Sequence, residues 1–172
     1  LKKGLIDRFR SLPMARAAVL AGRTIADIGT NLISIVIMIV VGVIAGFSFS
    51  APATHVLAGI LLLLLFGYAF SWVFAFIGLS SSSPEASQSV GFILIFPLTF
   101  VSSAFVPVDS MPSALQAFAE VNPFTTTVEA MRALFLGTPA GNDVWAAVLW
   151  SIGIAVFFAV LSVHRYKRAT AR

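Results

Sequence analysis

Apolar residues gather along this chain into four long blocks set apart by short polar stretches. A helix needs roughly 20 apolar residues to cross a bilayer. The first block, TIADIGTNLISIVIMIVVGVIAG, runs from about Thr24 to Gly46. The second runs from about Val56 to Leu79 and carries no charge. The third, QSVGFILIFPLTFVSSAFV, runs from about Gln88 to Val106, and the fourth from about Val144 to Val163. The pattern predicts an all-α integral membrane protein, one domain over 1–172, with transmembrane helices at 24–46, 56–79, 88–106 and 144–163.

The polar stretches have patterns of their own. In residues 1–23, Leu1, Leu5, Phe9 and Leu12 fall on one helical stripe, with Lys2, Lys3, Asp7, Arg8 and Arg10 largely off it. Pro13 should end or kink that amphipathic helix. Such a helix either lies on an anionic leaflet or docks a cytoplasmic partner. The link SSSSPEAS, Ser80 to Ser87, reads as a turn.

Residues 107–143 read as two short helices. The first begins near Ser110 or Pro112 and puts Met111, Leu115 and Phe118 on one side. The second begins after Asn122, with Pro123 at an early helical position and Gly137 as its C-terminal glycine. Thr126 and Glu129 have capping-box spacing, and Glu129 and Arg132 pair at i, i+3. Val128, Met131, Leu134 and Phe135 form an apolar stripe. Neither helix is long enough to cross. They are expected to lie at the outer face or to dip in as a re-entrant hairpin, where protein or a water-lined cavity covers the backbone. The pair is either a lid packed on the spans or an outer gate.

Within the spans three features stand out. Pro97 removes a backbone hydrogen bond from the third, and Thr99, Ser102 or Ser103 are candidates to re-satisfy the freed groups. The result is either ordinary curvature or a gating helix. Asp27 lies one turn before Asn31 and one turn after Arg23, which points to an interfacial ion pair. Gly42 to Gly46, GVIAG, matches GxxxG, which permits close helix packing.

Composition supports the membrane reading. The chain is 59% hydrophobic and 10% charged with mean hydropathy +0.98, against roughly 25% charged in soluble domains. The pI of 10.1 suggests nucleic acid only until the basic residues are placed. Six precede the first span and four follow the fourth, leaving only Arg132 between them. Four crossings bring both ends to one side, which the positive-inside rule makes the cytoplasm. Residues 107–143 are then extracellular and 164–172 a cytoplasmic tail. Trp145 and Trp150 near one end of the last span, and Tyr166 past the other, suit interface anchors. The chain begins at Leu1 without the order of a signal peptide, so an upstream portion is expected.

Chemistry is sparse. There is no cysteine, no GxxxxGK[ST] phosphate loop, and no lysine between Lys3 and Lys167. His55 and His164 fall at opposite membrane faces, and GLSSSSP lacks nucleophile-elbow spacing. No catalytic residue, metal set or cofactor is expected.

Three stretches together resemble the permease subunits of ABC transporters of type 2, particularly the daunorubicin/doxorubicin-resistance-like exporters. They are GLIDRFRSLPMARAAVLAGR, then FPLTFVSSAFVPVDSMPSALQAFAEVNPFTTTVEAMRALFLG, then a last span with a basic tail. The resemblance implies a six-span permease of which this chain looks like spans three to six. It implies an ATPase subunit as partner, contacted by Leu5, Asp7, Arg8, Phe9 and Arg10, and a second permease chain, identical or different. It implies export across the bacterial plasma membrane, driven by ATP that the separate subunit hydrolyses. The few charges and the aromatic surface suit an amphipathic drug-like or lipid-like cargo. Phe92, Phe96, Thr99 and Ser103 share one helical face beside Pro97 and are candidates for a gate or pathway, or for plain helix packing. Asn122, Pro123, Glu129, Arg132 and Gly137 mark the outer hairpin. The alternative is an ATP-independent channel or secondary transporter, whose signs would be ionisable residues deep in the spans or an internal repeat. Only Asp27 points that way.

Overall fold

The computed structural model describes residues 16–139 and 141–169, with side chains at 26–139 and 141–165. Its helices are α1 (Arg16–Ile44), α2 (Ala53–Ser80), α3 (Pro84–Phe100), α4 (Ser113–Val121), α5 (Pro123–Leu136) and α6 (Asp143–Ala169), with a 3-10 turn at Val108–Ser110. No strand occurs among the described residues. The expected amphipathic helix around Leu5 to Leu12 lies outside them.

Local chemistry sets the boundaries. Gly46 adopts φ +100°, and the bonds Gly46 N–H to Val43 O and Phe47 N–H to Gly42 O close the end of α1. The GVIAG motif therefore terminates a helix, because its second glycine lies past the last turn and offers no packing face. Ser83 caps α3 by accepting from Ala86 N–H at 3.1 Å, and Pro84 follows in the first turn.

α2 is the hub. Its most extensive partner is α6, with Phe76 against Phe158 at 5.8 Å and the Ser162 hydroxyl donating to Trp72 O at 3.5 Å. Its buried residues Gly59, Leu62, Ala69, Trp72, Val73 and Ile77 form one stripe of an otherwise uniformly apolar helix. α5 packs against both α2 and α6, whereas α1 packs mainly along α2 and none of Ala26–Ile44 is buried.

Among the described residues three helices are long and apolar enough to cross a membrane: Ala26–Ile44, Ala53–Ser80 and Asp143–Arg165. Of the expected third span, 88–106, α3 covers the residues up to Phe100, and the chain leaves the helix at Val101. At 17 residues it is about 25 Å long, at the short end of what crosses a bilayer. A helix that ends among apolar neighbours needs other donors for its last carbonyls.

Candidate functional site at the junction of α3 and α5

Those donors come from the polar helix. Asn122, with 2% of its surface exposed, precedes α5 and joins it to α3. Its side-chain oxygen accepts from Phe124 N–H at 2.9 Å and so caps α5. Its amide nitrogen donates to Leu98 O and Val101 O, both at 2.7 Å. The Ser102 hydroxyl takes Thr99 O at 2.6 Å, and Val101 N–H takes Pro97 O at 2.9 Å. The chain leaves the helix here because Pro97 has already weakened it and these groups replace the amides that a further turn would supply.

A second tie lies further along α5. Arg132 donates through Nη1 to Glu129 Oε1 at 2.8 Å and through Nη2 to Ser103 O at 2.7 Å. The expected Glu129–Arg132 pair is present, but its guanidinium also holds the chain after α3. The expected capping box is not formed. Asn122 is the cap, and Thr126 and Thr127 instead donate back to Pro123 O at 3.1 and 2.8 Å. Thr125, Thr126 and Thr127 are buried although they are the most polar run in the helix. Internal hydrogen bonding makes the burial of the last two tolerable.

The apolar stripe of α5 faces inward as expected. Leu134 and Ala130 join Leu62 and Ala147 in the core, with Met131 and Phe135 packed against it. Phe135 also meets Phe49 at 5.2 Å and Phe47 at 6.5 Å from the α1–α2 connection, and its carbonyl accepts from Ser50 and Ala51 N–H. Phe124 sits 5.2 Å from both Phe66 and Phe70 of α2. α5 is thus seated between α2 and α6 and pinned at both ends. α4 differs: Leu115, Phe118 and Val121 are exposed, only Ala119 is buried, and Met111 lies outside the helix.

The candidate pathway residues separate. Phe92 and Phe96 belong to an exposed ladder continued by Phe100 and Phe105, with centroids 5.3, 4.3 and 5.2 Å apart. Pro97 lies inside α3, and Thr99 is half-buried. Ser103 lies beyond the helix, fully buried, and its hydroxyl has no hydrogen-bond partner. The single face expected for Phe92, Phe96, Thr99 and Ser103 therefore breaks where the helix ends, and the aromatic part stays exposed among the described residues. Leu5, Asp7, Arg8, Phe9 and Arg10 lie outside the described residues.

The model of the ABC-2 type transporter family matches residues 1–136. The chain belongs to that family. It is 33% identical over 171 residues to the daunorubicin resistance ABC transporter permease protein DrrB1 of Streptomyces coeruleorubidus, covering 99% of this chain and 60% of the relative. It is 28% identical over 167 residues to the probable doxorubicin resistance ABC transporter permease protein DrrC of Mycobacterium tuberculosis, covering 97% and 60%. A shorter stretch of 47 residues is 47% identical to the putative transport permease ycf38 of Cyanophora paradoxa, covering 27% and 16%. The chain thus spans 60% of the length of the first two relatives. No solved structure matches it.

The match to the ABC-2 family runs through α1 to α5 and ends with α5. Gly137 closes that helix at φ +73°, ψ +22°, with its N–H on Ala133 O at 2.9 Å. A Cβ added there would lie 3.6 Å from Ala51 Cα. Space is sufficient, so the cost of Gly137→Ala is conformational, about 1–2 kcal/mol. Gly137→Asn should cost less, because asparagine tolerates the left-handed region. Thermal unfolding of the two variants in detergent measures the difference.

Proposed function

We propose that this chain is the membrane-spanning part of an ATP-driven ABC exporter that moves an amphipathic drug-like or lipid-like compound out of the cell. The observation that carries the reading is the family match across residues 1–136. The names of the relatives, drug-resistance ABC transporter permeases, supply the direction and the kind of cargo. On this reading a separate ATPase subunit provides the energy, and two permease chains form the pathway. Both ends of this chain face the cytoplasm, and α4 and α5 face outward.

The mechanism follows from a population shift. ATP binding closes the ATPase dimer, and residues 1–23 transmit the movement to α1. The balance between inward- and outward-accessible states then changes by the differential interaction of the ATPase with each. α5 is the stationary cover over the exit. It is anchored to the α2–α6 pair, so movement of α3 is opposed by the bonds from Asn122 and Arg132. The exposed ladder from Phe92 to Phe105 supplies apolar surface to cargo or to the second chain. This reading favours a pathway role for Phe92 and Phe96, and a structural one for Ser103.

Co-purification in detergent of the full-length protein with its ATPase subunit tests the reading. Capture is expected, and Asp7→Arg with Arg8→Glu should weaken it by roughly tenfold or more, as loss of a complementary charged contact does. A well-folded full-length protein that captures no ATPase would leave the ATP-independent channel as the better reading.

A further inference from the structure

α1 meets α2 along one stripe of its surface, and the meeting leaves two cavities. The first, about 510 Å³, is lined by Asp27, Thr30 and Asn31 of α1 and by Phe70, Ser71 and Phe74 of α2. The second, about 390 Å³, is lined by Met38 and Ile39 of α1, Leu63 of α2, and Phe47, Phe49 and Phe135. The residues of α1 that face the two cavities recur at three- and four-residue intervals from Asp27 to Gly42, which is one helix face. Between the cavities the amide of Asn31 lies over Gly67, so near that a Cβ at Gly67 would come within 2.9 Å of Asn31 Nδ2. Gly67 is thus the point where α1 rests on α2, with space on either side.

The chemistry changes along this groove. At the first cavity the polar groups are mainly acceptors. Asp27 offers a carboxylate and Asn31 a side-chain carbonyl. The hydroxyls of Thr30 and Ser71 donate to Ala26 O and Gly67 O, at 3.4 and 3.2 Å, leaving their lone pairs for a ligand. Phe70 and Phe74 add aromatic surface to the lining. At the second cavity the lining is aliphatic and aromatic. The hydroxyl of Ser34, its one polar side chain, donates to Thr30 O at 3.0 Å. Asp27 stands at the very start of the apolar stretch Ala26–Ile44, and the second cavity lies deeper in it. From Asp27 to Gly42 the helix rises roughly 22 Å, the reach of a long aliphatic tail.

We propose that the α1–α2 groove binds one amphiphile with a protonated amine head, the head at Asp27 and the tail toward Leu63 and Phe135. An ammonium group brings several N–H donors and a positive charge to a site made of acceptors, a carboxylate and aromatic surface. Two sources present this chemistry: an aminophospholipid of the surrounding leaflet and a soluble cationic amphiphile. The inference rests on the permease reading for the ligand being cargo, and on the groove alone for binding.

The test uses the full-length protein in nanodiscs of phosphatidylcholine, doped with phosphatidylethanolamine or phosphatidylglycerol, with retained lipid counted by native mass spectrometry. Dodecylamine titrated into phosphatidylcholine discs is the soluble arm. Phosphatidylcholine carries the positive charge but no N–H donor, so it separates hydrogen bonding from charge alone. Preferential retention of one phosphatidylethanolamine is expected, reduced roughly tenfold by Asp27→Asn, a loss equivalent to about 1.4 kcal/mol. Gly78→Leu should block the head site, since a Cβ there meets nothing within 4 Å and the side chain fills the first cavity. Gly42→Leu should reduce retention of long-chain but not of dihexanoyl phosphatidylethanolamine. Binding of dodecylamine without phosphatidylethanolamine assigns the site to a soluble ligand. Equal retention of all three lipids, or retention unchanged in Asp27→Asn, overturns the proposal. No ATPase is present in this measurement, so failure to capture the ATPase and failure of the groove to bind are read separately.

Discussion

Asn122→Ala is expected to lower the stability of the protein by about 3–5 kcal/mol, since each buried group left without a partner costs about 1–3 kcal/mol. Three groups lose their partner at once: Leu98 O, Val101 O and Phe124 N–H. Water does not replace them readily, because Asn122 is 2% exposed. Asn122→Ser separates the two roles. Serine still caps α5 but does not reach both carbonyls of α3, so it should recover about 1 kcal/mol, the usual worth of a cap. Thermal unfolding in detergent, with a single monodisperse peak in size exclusion as a check on folding, gives the ordering. If the serine variant were as stable as the native protein, the bonds to Leu98 and Val101 would contribute nothing and the account of why α3 stops at Phe100 would fail.

Gly59→Val should cost about 2–3 kcal/mol, near the upper end for overpacking a well-filled core. A Cβ at Gly59 would lie 2.5 Å from Phe135 Cε1 and 2.9 Å from Met131 Cε. Met131 is flexible and can give way. Phe135 cannot easily do so. Its ring is backed by Phe47 and Phe49, and its carbonyl is held by Ser50 and Ala51. The ring must turn into the α1–α2 groove that it lines, or α5 must shift. Gly91→Val provides the contrast. Its Cβ would lie 2.7 Å from Phe74 Cε1, nearly as severe a clash, but Phe74 is 46% exposed and has room to turn. The cost there should stay below about 1 kcal/mol. Adding Phe135→Val to Gly59→Val should restore most of the loss, as coupled neighbours do. Equal costs at the two glycines would mean that close approach by itself, and not the anchoring of Phe135, decides the outcome.

Much of this architecture is legible in the chain. Uniform apolarity over Val56 to Leu79 marks α2, and Asn122, Pro123 and Gly137 mark both ends of α5, because caps and breakers act within one turn. The Glu129–Arg132 pair is local for the same reason. The end of α3 at Phe100 is not legible in this way, because hydropathy does not register where a helix loses its hydrogen bonds. Ser102 and Ser103 after Pro97 are the local signal of that exit. The aromatic face of α3 was legible as a period, but not its fate, since packing and exposure draw on the same residues.

Helicity, apolarity and the divisions at proline, glycine and asparagine are written in the order of the residues. Those properties depend on periodicity and on bonds between residues a few positions apart. That the most polar helix lies between α2 and α6, while most of α1 and the phenylalanines of α3 are exposed among the described residues, emerges from contacts distant in the chain. That outcome depends on pairings across 21 to 29 residues, Asn122 to Val101 and Leu98 and Arg132 to Ser103. In a bilayer, burying apolar surface gives little preference for one helix over another. Unsatisfied carbonyls and small interfacial residues, Ala130 and Ala147 among them, choose the partners instead, and that choice exists only once the helices meet.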